Sequence, residues 1–332
     1  MEKTDSSKLG LPLSKRFVFG FRRLFLEGGL SRKLSKRKKD ILFYALLSAL
    51  PIAQFVIFYV LVNFNSILLA FQRYDTVSGT TTWVGLQNFA DVFKDLFTKF
   101  EMVQSWKNSF IVYGIGLIVG VPMSLIFSYF IYKKFFGSKF FKFFLFLPSI
   151  ISSIAMILMF SYFAEDAYPD LVQKWFSLNT KPNGLLSDLK TTMFAVLFYA
   201  TFTGFGTSVI MYSSAMNNIN ESLPEAAKID GANSMQEFLS ISVPLIWPTI
   251  VTFLVVGVAG IFTNQVGLYA FFGGAADLRV YTFGYYLYKE TVDGTQASYP
   301  YLAAMGLVMT LFAVPLTYTF KWLLEKNGPS RT

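Results

Sequence analysis

The chain contains no cysteine and no histidine among its 332 residues. Without cysteine it cannot form a disulfide or use a thiolate nucleophile, and without histidine it lacks the usual proton relay. Zinc sites built from these two residue types are excluded for the same reason. Charged residues are also few, at 15% of the chain. The composition is therefore poorly suited to metal chemistry or to a catalytic triad.

Apolar residues are abundant instead, because 54% of the chain is hydrophobic and 38 residues are phenylalanine. Six runs are each long enough, at about 20 residues, to cross a bilayer as a helix. The membrane core offers no water, so the backbone of each run must form its hydrogen bonds internally, and the predicted fold is all-α. The predicted spans are 41–63, 108–132, 143–163, 191–215, 245–271 and 299–320.

The distribution of lysine and arginine predicts the orientation of these spans. The first 40 residues carry 12 basic and 4 acidic side chains, and the link after the second span adds four lysines and no acid. The positive-inside rule then places both termini and the loop 216–244 in the cytoplasm. Topology also accounts for the net charge of +9, so a nucleic-acid partner is not expected.

The chain divides by composition into three parts. Residues 1–40 form a basic cytoplasmic tail, residues 41–325 form the six-helix membrane domain, and residues 326–332 form a short cytoplasmic tail. Within the first tail, residues 15–26 have the pattern of a basic amphipathic helix lying on anionic membrane lipid. A solvated disordered arm explains the same composition equally well.

The loop 216–244 is too acidic for the membrane core and predicts two short helices in water. Gly231 stands where the first helix must end, at a position that often requires a positive φ. Pro244 marks the expected end of the second helix. The predicted caps are two capping boxes, Ser222 with Glu225 and Ser234 with Glu237.

The same loop resembles the signature loop of the membrane subunits of ABC importers. That family has Glu-Ala-Ala, three residues, Gly, nine residues, then Ile-x-Leu-Pro, and here the spacing is kept with Val243 in place of Leu. The resemblance implies a type I ABC importer permease fold with a cytoplasmic coupling helix that docks on an ATPase. The implied coupling residues are Glu225, Ala226, Ala227, Asp230, Gly231, Ala232 and Pro244.

Shorter matches extend the resemblance over about residues 41–325. They lie at residues 84–89, 145–148 and 301–304, whereas Gly273-Gly274-Ala275 departs from the family's usual Gly-Gly-Pro. The variant of the loop is similar to the carbohydrate-uptake branch, in particular to the larger membrane subunit of maltose-type and multiple-sugar transporters. The resemblance implies import of an oligosaccharide across a bacterial cell membrane, with a polyol, glycerol phosphate or sugar derivative as the alternative solute.

The sequence contains no Gly-x-x-x-x-Gly-Lys-Ser/Thr loop that could hold nucleotide phosphates. The chain is therefore expected to be non-catalytic and to bind no cofactor, with ATP and magnesium at a separate ATPase subunit. By resemblance, its partners are a second homologous permease in a heterodimer, two ATP-binding cassette subunits and an extracytoplasmic solute-binding protein.

Polar and small residues inside the spans are candidates for the solute path, because polar groups at membrane depth are costly unless they face a cavity or a partner. By approximate resemblance to stretches that contact sugar, the candidates are Gly204, Thr207, Phe262, Thr263, Asn264 and Gln265. Helix packing is the competing interpretation for small residues, and it is preferred for Gly206, Gly116 and Gly120.

Two other classes of protein fit a six-span chain. A secondary transporter usually needs an ionisable residue within the membrane, and none lies inside the predicted spans. A membrane-embedded enzyme would need paired acids at a membrane face, for which Glu165 and Asp166 are candidates. On an outer loop these two residues are more simply interpreted as solvated charge.

Overall fold

A computed structural model describes residues 36–329, and the predicted amphipathic helix at 15–26 lies outside the described residues. The chain separates into two compact units, with the division between Ser66 and Ile67. The first unit contains most of one apolar helix, α1 (Asp40–Leu69), whose helical turns begin at Lys36. Its 30 residues extend about 45 Å, which exceeds the thickness of a membrane core.

The second unit contains eleven further helices and a small hairpin within its described part. The helices are α2 (Gln87–Thr98), α3 (Phe100–Tyr132), α4 (Ser138–Ile150), α5 (Ser153–Trp175), α6 (Thr192–Met216), α7 (Ser222–Ile229), α8 (Ser234–Leu245), α9 (Trp247–Ala259), α10 (Leu268–Phe272), α11 (Phe283–Val292) and α12 (Tyr299–Asn327). A single 3₁₀ turn covers Leu278–Val280. The antiparallel strands β1 (Gln72–Tyr74) and β2 (Thr81–Trp83) pair with Arg73 opposite Thr82.

Within residues 36–329, four helices are long and apolar enough to cross a membrane, and the number rises to six if two bent pairs each count as one span. The helix α6 agrees with the predicted span 191–215 to within one residue at each end. The helix α3 begins at Phe100, eight residues before its prediction, while α12 begins as predicted and continues to Asn327. Helix propensity and the length of the apolar runs therefore predicted where these helices lie. The ends of the observed helices extend beyond the predicted spans into the flanking polar segments.

The third predicted span is two helices, α4 and α5, with a bend of 97° between them. Pro148 lies in the last turn of α4 and supplies no backbone N–H, and Ile151 has an extended backbone with ψ of 140°. Both features interrupt the i to i+4 hydrogen-bond pattern at the same point. A run of apolar residues did not reveal this break.

The fifth predicted span, 245–271, is wrong as a continuous helix. Helix α9 starts at Trp247, after a bend of 68° from α8, and ends at Ala259. Its 13 residues rise only about 20 Å. The chain then continues without regular structure from Gly260 to Gly267 before the short helix α10. Non-helical backbone between apolar segments is tolerated where it is buried in protein or lines a cavity.

Buried apolar side chains form two clusters. The larger one joins the first half of α3, the start of α6, the run 258–268 and the first half of α12. The smaller one, here called the inner cluster, lies where α3, α6, α8 and α9 meet. Its members are Tyr129, Tyr212, Met216, Phe238, Ile246, Ile250 and Leu254.

Glu165 is more than the solvated charge that the sequence suggested. One of its carboxylate oxygens accepts hydrogen bonds from the backbone N–H groups of Leu186 at 2.8 Å and Ser187 at 3.0 Å. The Ser187 hydroxyl donates to the other oxygen. Glu165 therefore organises the connection between α5 and α6. Among residues 36–329, no group of three or more acidic side chains comes together in a way that could hold a metal ion.

Candidate functional site

Helices α7 and α8 form the segment that carries the Glu-Ala-Ala motif, called here the Glu-Ala-Ala segment (residues 222–245). The first helix ends in a Schellman turn, in which Gly231 donates to the carbonyl of Lys228 at 3.2 Å and Ala232 donates to that of Ala227 at 2.9 Å. This turn requires a left-handed residue, and Gly231 has φ of +82°. The prediction of a positive φ at this glycine is confirmed.

The predicted cap of the first helix is wrong. The side chain of Asn220 accepts hydrogen bonds from the backbone N–H of Ser222 at 3.1 Å and from its hydroxyl at 3.0 Å. Ser222 therefore lies in the first turn, and Glu225 makes no return bond to a cap. An asparagine two residues earlier competes well for this role, because its side chain readily bonds to the backbone ahead of it.

The second predicted cap is displaced by one residue. Asn233 and Gln236 form the capping box, with bonds of 2.9 Å and 2.8 Å in the two directions. Ser234 and Glu237 do not form it, because Glu237 is buried and its carboxylate pairs with Lys133 instead. Helix α8 then ends at Leu245, one residue after the predicted stop at Pro244.

The solvent-exposed surface of the segment contains most of the predicted coupling residues. The exposed ones are Glu225, Ala226, Asp230 and Gly231, while Ala227, Ala232 and Pro244 are half-buried. Several apolar residues that the motif did not indicate are also exposed, above all Ile229 at 86% and Met235 at 61%. Exposed apolar side chains among acids in a polar loop are typical of a surface that docks on a partner, and this contrast is visible in the sequence.

The opposite surface of the segment is anchored to the membrane helices. Phe238 is buried in the inner cluster and its ring lies 5.0 Å from that of Tyr129 on α3. Ile246, directly after α8, is buried in the same cluster. The segment therefore has one free face and one face that packs on α3, α6 and α9.

A cavity of about 490 Å³ lies between α3, α6, α9 and the irregular run after Gly260. This volume is within the range of ~300–1,000 Å³ that is usual for small-molecule sites. The polar groups that line it are hydroxyls and one amide, and its aromatic groups come from α3, α6 and α9. These residues are Ser109, Tyr113, Ser124, Thr201, Phe205, Ser208, Tyr212, Phe253, Thr263, Asn264 and Thr282.

Three of the six predicted solute-path residues line this cavity: Gly204, Thr263 and Asn264. Phe262 lies elsewhere, because its ring is buried in edge-to-face contact with Phe110 and Phe283 at centroid distances of 5.8 and 6.0 Å.

The two remaining candidates also lie outside the cavity. Thr207 is exposed on α6, three residues beyond Gly204, and it does not line the cavity. Gln265 does not line the cavity either. The continuous fifth span in which Gln265 was predicted to lie does not exist, since the chain leaves the helix at Gly260.

Asn264 is held in position by three hydrogen bonds, one of which its backbone N–H donates to the carbonyl of Gly260 at 3.0 Å. Its side-chain oxygen accepts from the N–H of Val266 at 2.9 Å, and its backbone carbonyl accepts from the hydroxyl of Thr282 at 2.9 Å. The backbone of residues 263–264 is also crossed closely by Gly284, where a Cβ would lie 2.5 Å from the Thr263 carbonyl. The irregular run is therefore fixed by Thr282 and the first turn of α11, and it presents Asn264 to the cavity.

The sequence interpretation missed the contribution of α3. Gly116 and Gly120 were predicted to pack against another helix, but a Cβ added to either glycine would have no neighbour within 4 Å, and both line the cavity. The cavity-lining positions on α3 are 109, 112, 113, 116, 117, 120, 121 and 124, so they recur at intervals of three and four residues. This spacing places them on one face of a helix, which is a signal that the sequence contains.

Gly206 behaves as predicted. A Cβ on Gly206 would lie 2.0 Å from the carbonyl oxygen of Leu145, so α6 and α4 are in direct backbone contact at this point. The packing interpretation is confirmed for Gly206.

Comparisons with known proteins identify this architecture. The chain belongs to the family of binding-protein-dependent transport system inner membrane components, whose match covers residues 104–329. The predicted class, a membrane permease subunit of an ABC importer, is thereby confirmed. The secondary transporter and the membrane enzyme are set aside.

Relatives and solved structures agree with the family. The arabinooligosaccharides transport system permease protein AraP of Bacillus subtilis (strain 168) is 25% identical over 280 residues, which are 81% of this chain and 87% of AraP. A bacterial ABC transporter involved in the import of the acidic polysaccharide alginate contains a chain that superposes with a TM-score of 0.71 at 22% identity, covering 87% of this chain and 97% of that one.

A second structure of an alginate transporter, in complex with an alginate pentasaccharide-bound periplasmic protein, gives a TM-score of 0.68 at 22% identity over 85% of this chain and 93% of that one. These likenesses confirm the predicted fold, an all-α ABC importer permease.

Proposed function

We propose that the chain forms part of a bacterial importer that moves an oligosaccharide across the cell membrane by alternating access. The observation that carries this proposal is the cavity, whose lining combines hydroxyl, amide and aromatic groups. A sugar presents hydroxyl groups around an apolar ring, and such a mixture can bind both. Support also comes from AraP, named for arabinooligosaccharides, and from the similar structure, named for alginate import.

Uptake into proteoliposomes tests the proposal. The complete complex is given a panel of neutral and acidic oligosaccharides and, separately, glycerol phosphate. We expect uptake of at least one oligosaccharide, and Asn264→Ala should reduce it by at least tenfold, since one well-placed hydrogen bond contributes about 1.4 kcal/mol or more. The matched control is Thr207→Ala, an exposed polar residue outside the cavity. Equal uptake by both variants, or uptake of glycerol phosphate alone, would contradict the assignment.

We further propose that a separate ATPase subunit docks on the free face of the Glu-Ala-Ala segment and supplies the energy. The chain itself would bind no cofactor, and ATP with magnesium would be held by that subunit. The exposed carboxylate of Glu225 and the exposed side chain of Ile229 support this role, because they offer a charged and an apolar contact on one short helix.

Charge reversal tests the docking surface. Glu225→Lys should abolish co-purification of the ATPase and solute-stimulated ATP hydrolysis, because a like charge would replace the expected contact. Asp166→Lys is the control, since Asp166 is an exposed acid within α5, away from the Glu-Ala-Ala segment. An unchanged Glu225→Lys complex would refute the proposed surface.

The proposed assembly contains a second homologous permease, two ATPase subunits and an extracytoplasmic binding protein, with both termini of this chain in the cytoplasm. The absence of cysteine allows a direct test of orientation, because each introduced cysteine is unique. Asn327→Cys, at an exposed position at the end of α12, should react with a membrane-impermeant maleimide only in opened cells, whereas Val77→Cys, at a position 94% exposed in the hairpin, should react in intact cells. The reverse pattern would invert the topology.

A further inference from the structure

We infer that the ion pair between Lys133 and Glu237 fixes the Glu-Ala-Ala segment to the end of α3, so that movement of the segment also moves the wall of the cavity. This inference rests on the proposed function, in which an ATPase moves the segment. It assigns a positioning role to two residues that lie outside the motif and outside the cavity.

The pair joins two elements that are distant in the sequence. Lys133 is the residue that directly follows α3, and its ammonium nitrogen lies 2.6 Å from a carboxylate oxygen of Glu237 on α8. The Glu237 side chain is 8% exposed and the Lys133 side chain 27%. A cation at the carboxyl end of a helix also interacts favourably with the helix dipole. The contact is therefore short, shielded from solvent and located where α3 ends.

Aromatic rings surround the pair and restrict its geometry. The Lys133 ammonium lies 5.8 Å from the ring centroids of both Tyr129 and Tyr132. The ring of Phe238, the residue after Glu237, lies 5.0 Å from that of Tyr129. Charge and apolar packing therefore connect the same two helices at the same place.

The polar groups here are not arranged for stability alone. Within the described residues, the buried side-chain oxygens without a hydrogen-bond partner are the Tyr129 hydroxyl, one carboxylate oxygen of Glu237 and the Ser242 hydroxyl. Tyr129 packs directly on Phe238, and Glu237 and Ser242 border the π-helical turn Phe238–Ser242. Buried ion pairs are often no more stabilising than apolar residues of similar size, and π-helical turns are frequent at functional sites. A positioning role accounts for a costly arrangement that stability does not require.

The other end of the connection is the cavity. The same helix α3 that ends at Lys133 contributes Tyr113, Gly116, Gly120 and Ser124 to the cavity lining. Hydrogen bonds keep the α-helical stretch Val121–Tyr132 stiff, so a displacement applied at Lys133 is transmitted along it to Ser124 and to the π-helical turn Gly116–Gly120 that precedes it. The pair thus provides a physical link from the Glu-Ala-Ala segment to the solute.

The test measures how many solute molecules are transported for each ATP hydrolysed in the reconstituted complex. The main variant is the apolar double substitution Lys133→Met with Glu237→Met, which removes both charges and leaves no unpaired ion in the interior. We expect it to assemble and hydrolyse ATP, while its transport per ATP falls at least fivefold. The exchanged pair Lys133→Glu with Glu237→Lys should recover at least half of the wild-type ratio, because the attraction is restored.

The matched control is the exposed pair of Lys321 and Glu325, whose charged groups are 3.8 Å apart within α12. Replacing both with methionine should leave the ratio within twofold of wild type. A wild-type ratio in the Lys133 and Glu237 double-methionine variant, with the ATPase still bound, would overturn the inference and leave the proposed function intact. Failure of the wild-type chain to bind any ATPase would overturn both.

Discussion

Gly206→Ala should destabilise the protein by forcing α6 away from α4. The added Cβ would lie 2.0 Å from the carbonyl oxygen of Leu145 and 2.9 Å from its carbonyl carbon. Both are backbone atoms, so no side-chain rotation relieves the clash and the helices themselves must separate. Overpacking of this kind costs about 1–3 kcal/mol, and a contact with rigid backbone belongs at the upper end of that range.

Gly204→Ala is the matched comparison, because Gly204 lies two residues earlier on the same helix and a Cβ there would meet nothing within 4 Å. Both substitutions gain the same helix propensity, about 0.8–1.0 kcal/mol, so their difference isolates the clash. The melting temperature changes by about 2–4 °C for each kcal/mol, so a difference of ~3 kcal/mol between the two variants corresponds to a difference of about 6–12 °C in melting temperature. Thermal melting of the purified protein in detergent measures it. If the two variants melt within about 2 °C of each other, the inferred backbone contact is wrong.

Three further substitutions test how the polar connections are held. Asn108→Ala should cost about 1–3 kcal/mol, measured by thermal melting, because its buried amide donates to two carbonyls of the loop before α11 at 2.7 and 2.8 Å. Burial opposes the ionisation of Asp95, but hydrogen bonds from Lys99 and Tyr301, each 2.6 Å, outweigh it and hold the pKa of Asp95 below its usual 3.8. The stabilisation that ionised Asp95 contributes is therefore complete above pH 3.8 and is lost as the pH falls through the lower pKa of the folded state. In thermal melting at a series of pH values, the Asp95→Asn variant should not show this loss. An identical pH profile for the variant and the wild type would contradict the prediction. Gly231→Val should disturb the Schellman turn by about 1–2 kcal/mol and lower ATPase binding in a pull-down, whereas Gly231→Asn, which tolerates positive φ, should retain most of it.

The predictable part of the site is the part with short-range causes. The positive φ of Gly231 follows from the end of a short helix, and residues 227–232 contain all the atoms of that turn. The exposure of Glu225 follows from a polar loop between apolar runs. The second predicted cap, by contrast, failed because of a distant partner: Glu237 pairs with Lys133, so Gln236 completes the capping box. The first failed because a neighbouring residue, Asn220, bonds to Ser222.

The solute path shows the same division. Hydrophobicity identified the residues around Asn264 as part of a membrane segment, yet the helix ends at Ala259 and the following run is held by Thr282, eighteen residues later. The ring of Phe262 packs against Phe110 and Phe283 in the core, and residues of α3 line the cavity instead. No pattern within the fifth span contains this information, because the competing contacts come from other helices.

The sequence by itself determined the membrane class of this protein, the approximate places of its helices and the spacing of its Glu-Ala-Ala motif. These follow from apolar length, from backbone hydrogen bonding without water and from the local demands of one turn. The tertiary structure alone decided where the third and fifth spans break, which face of α3 lines the cavity and that Lys133 meets Glu237. Those features depend on contacts between residues far apart in the chain, and only the packed helices bring their side chains together.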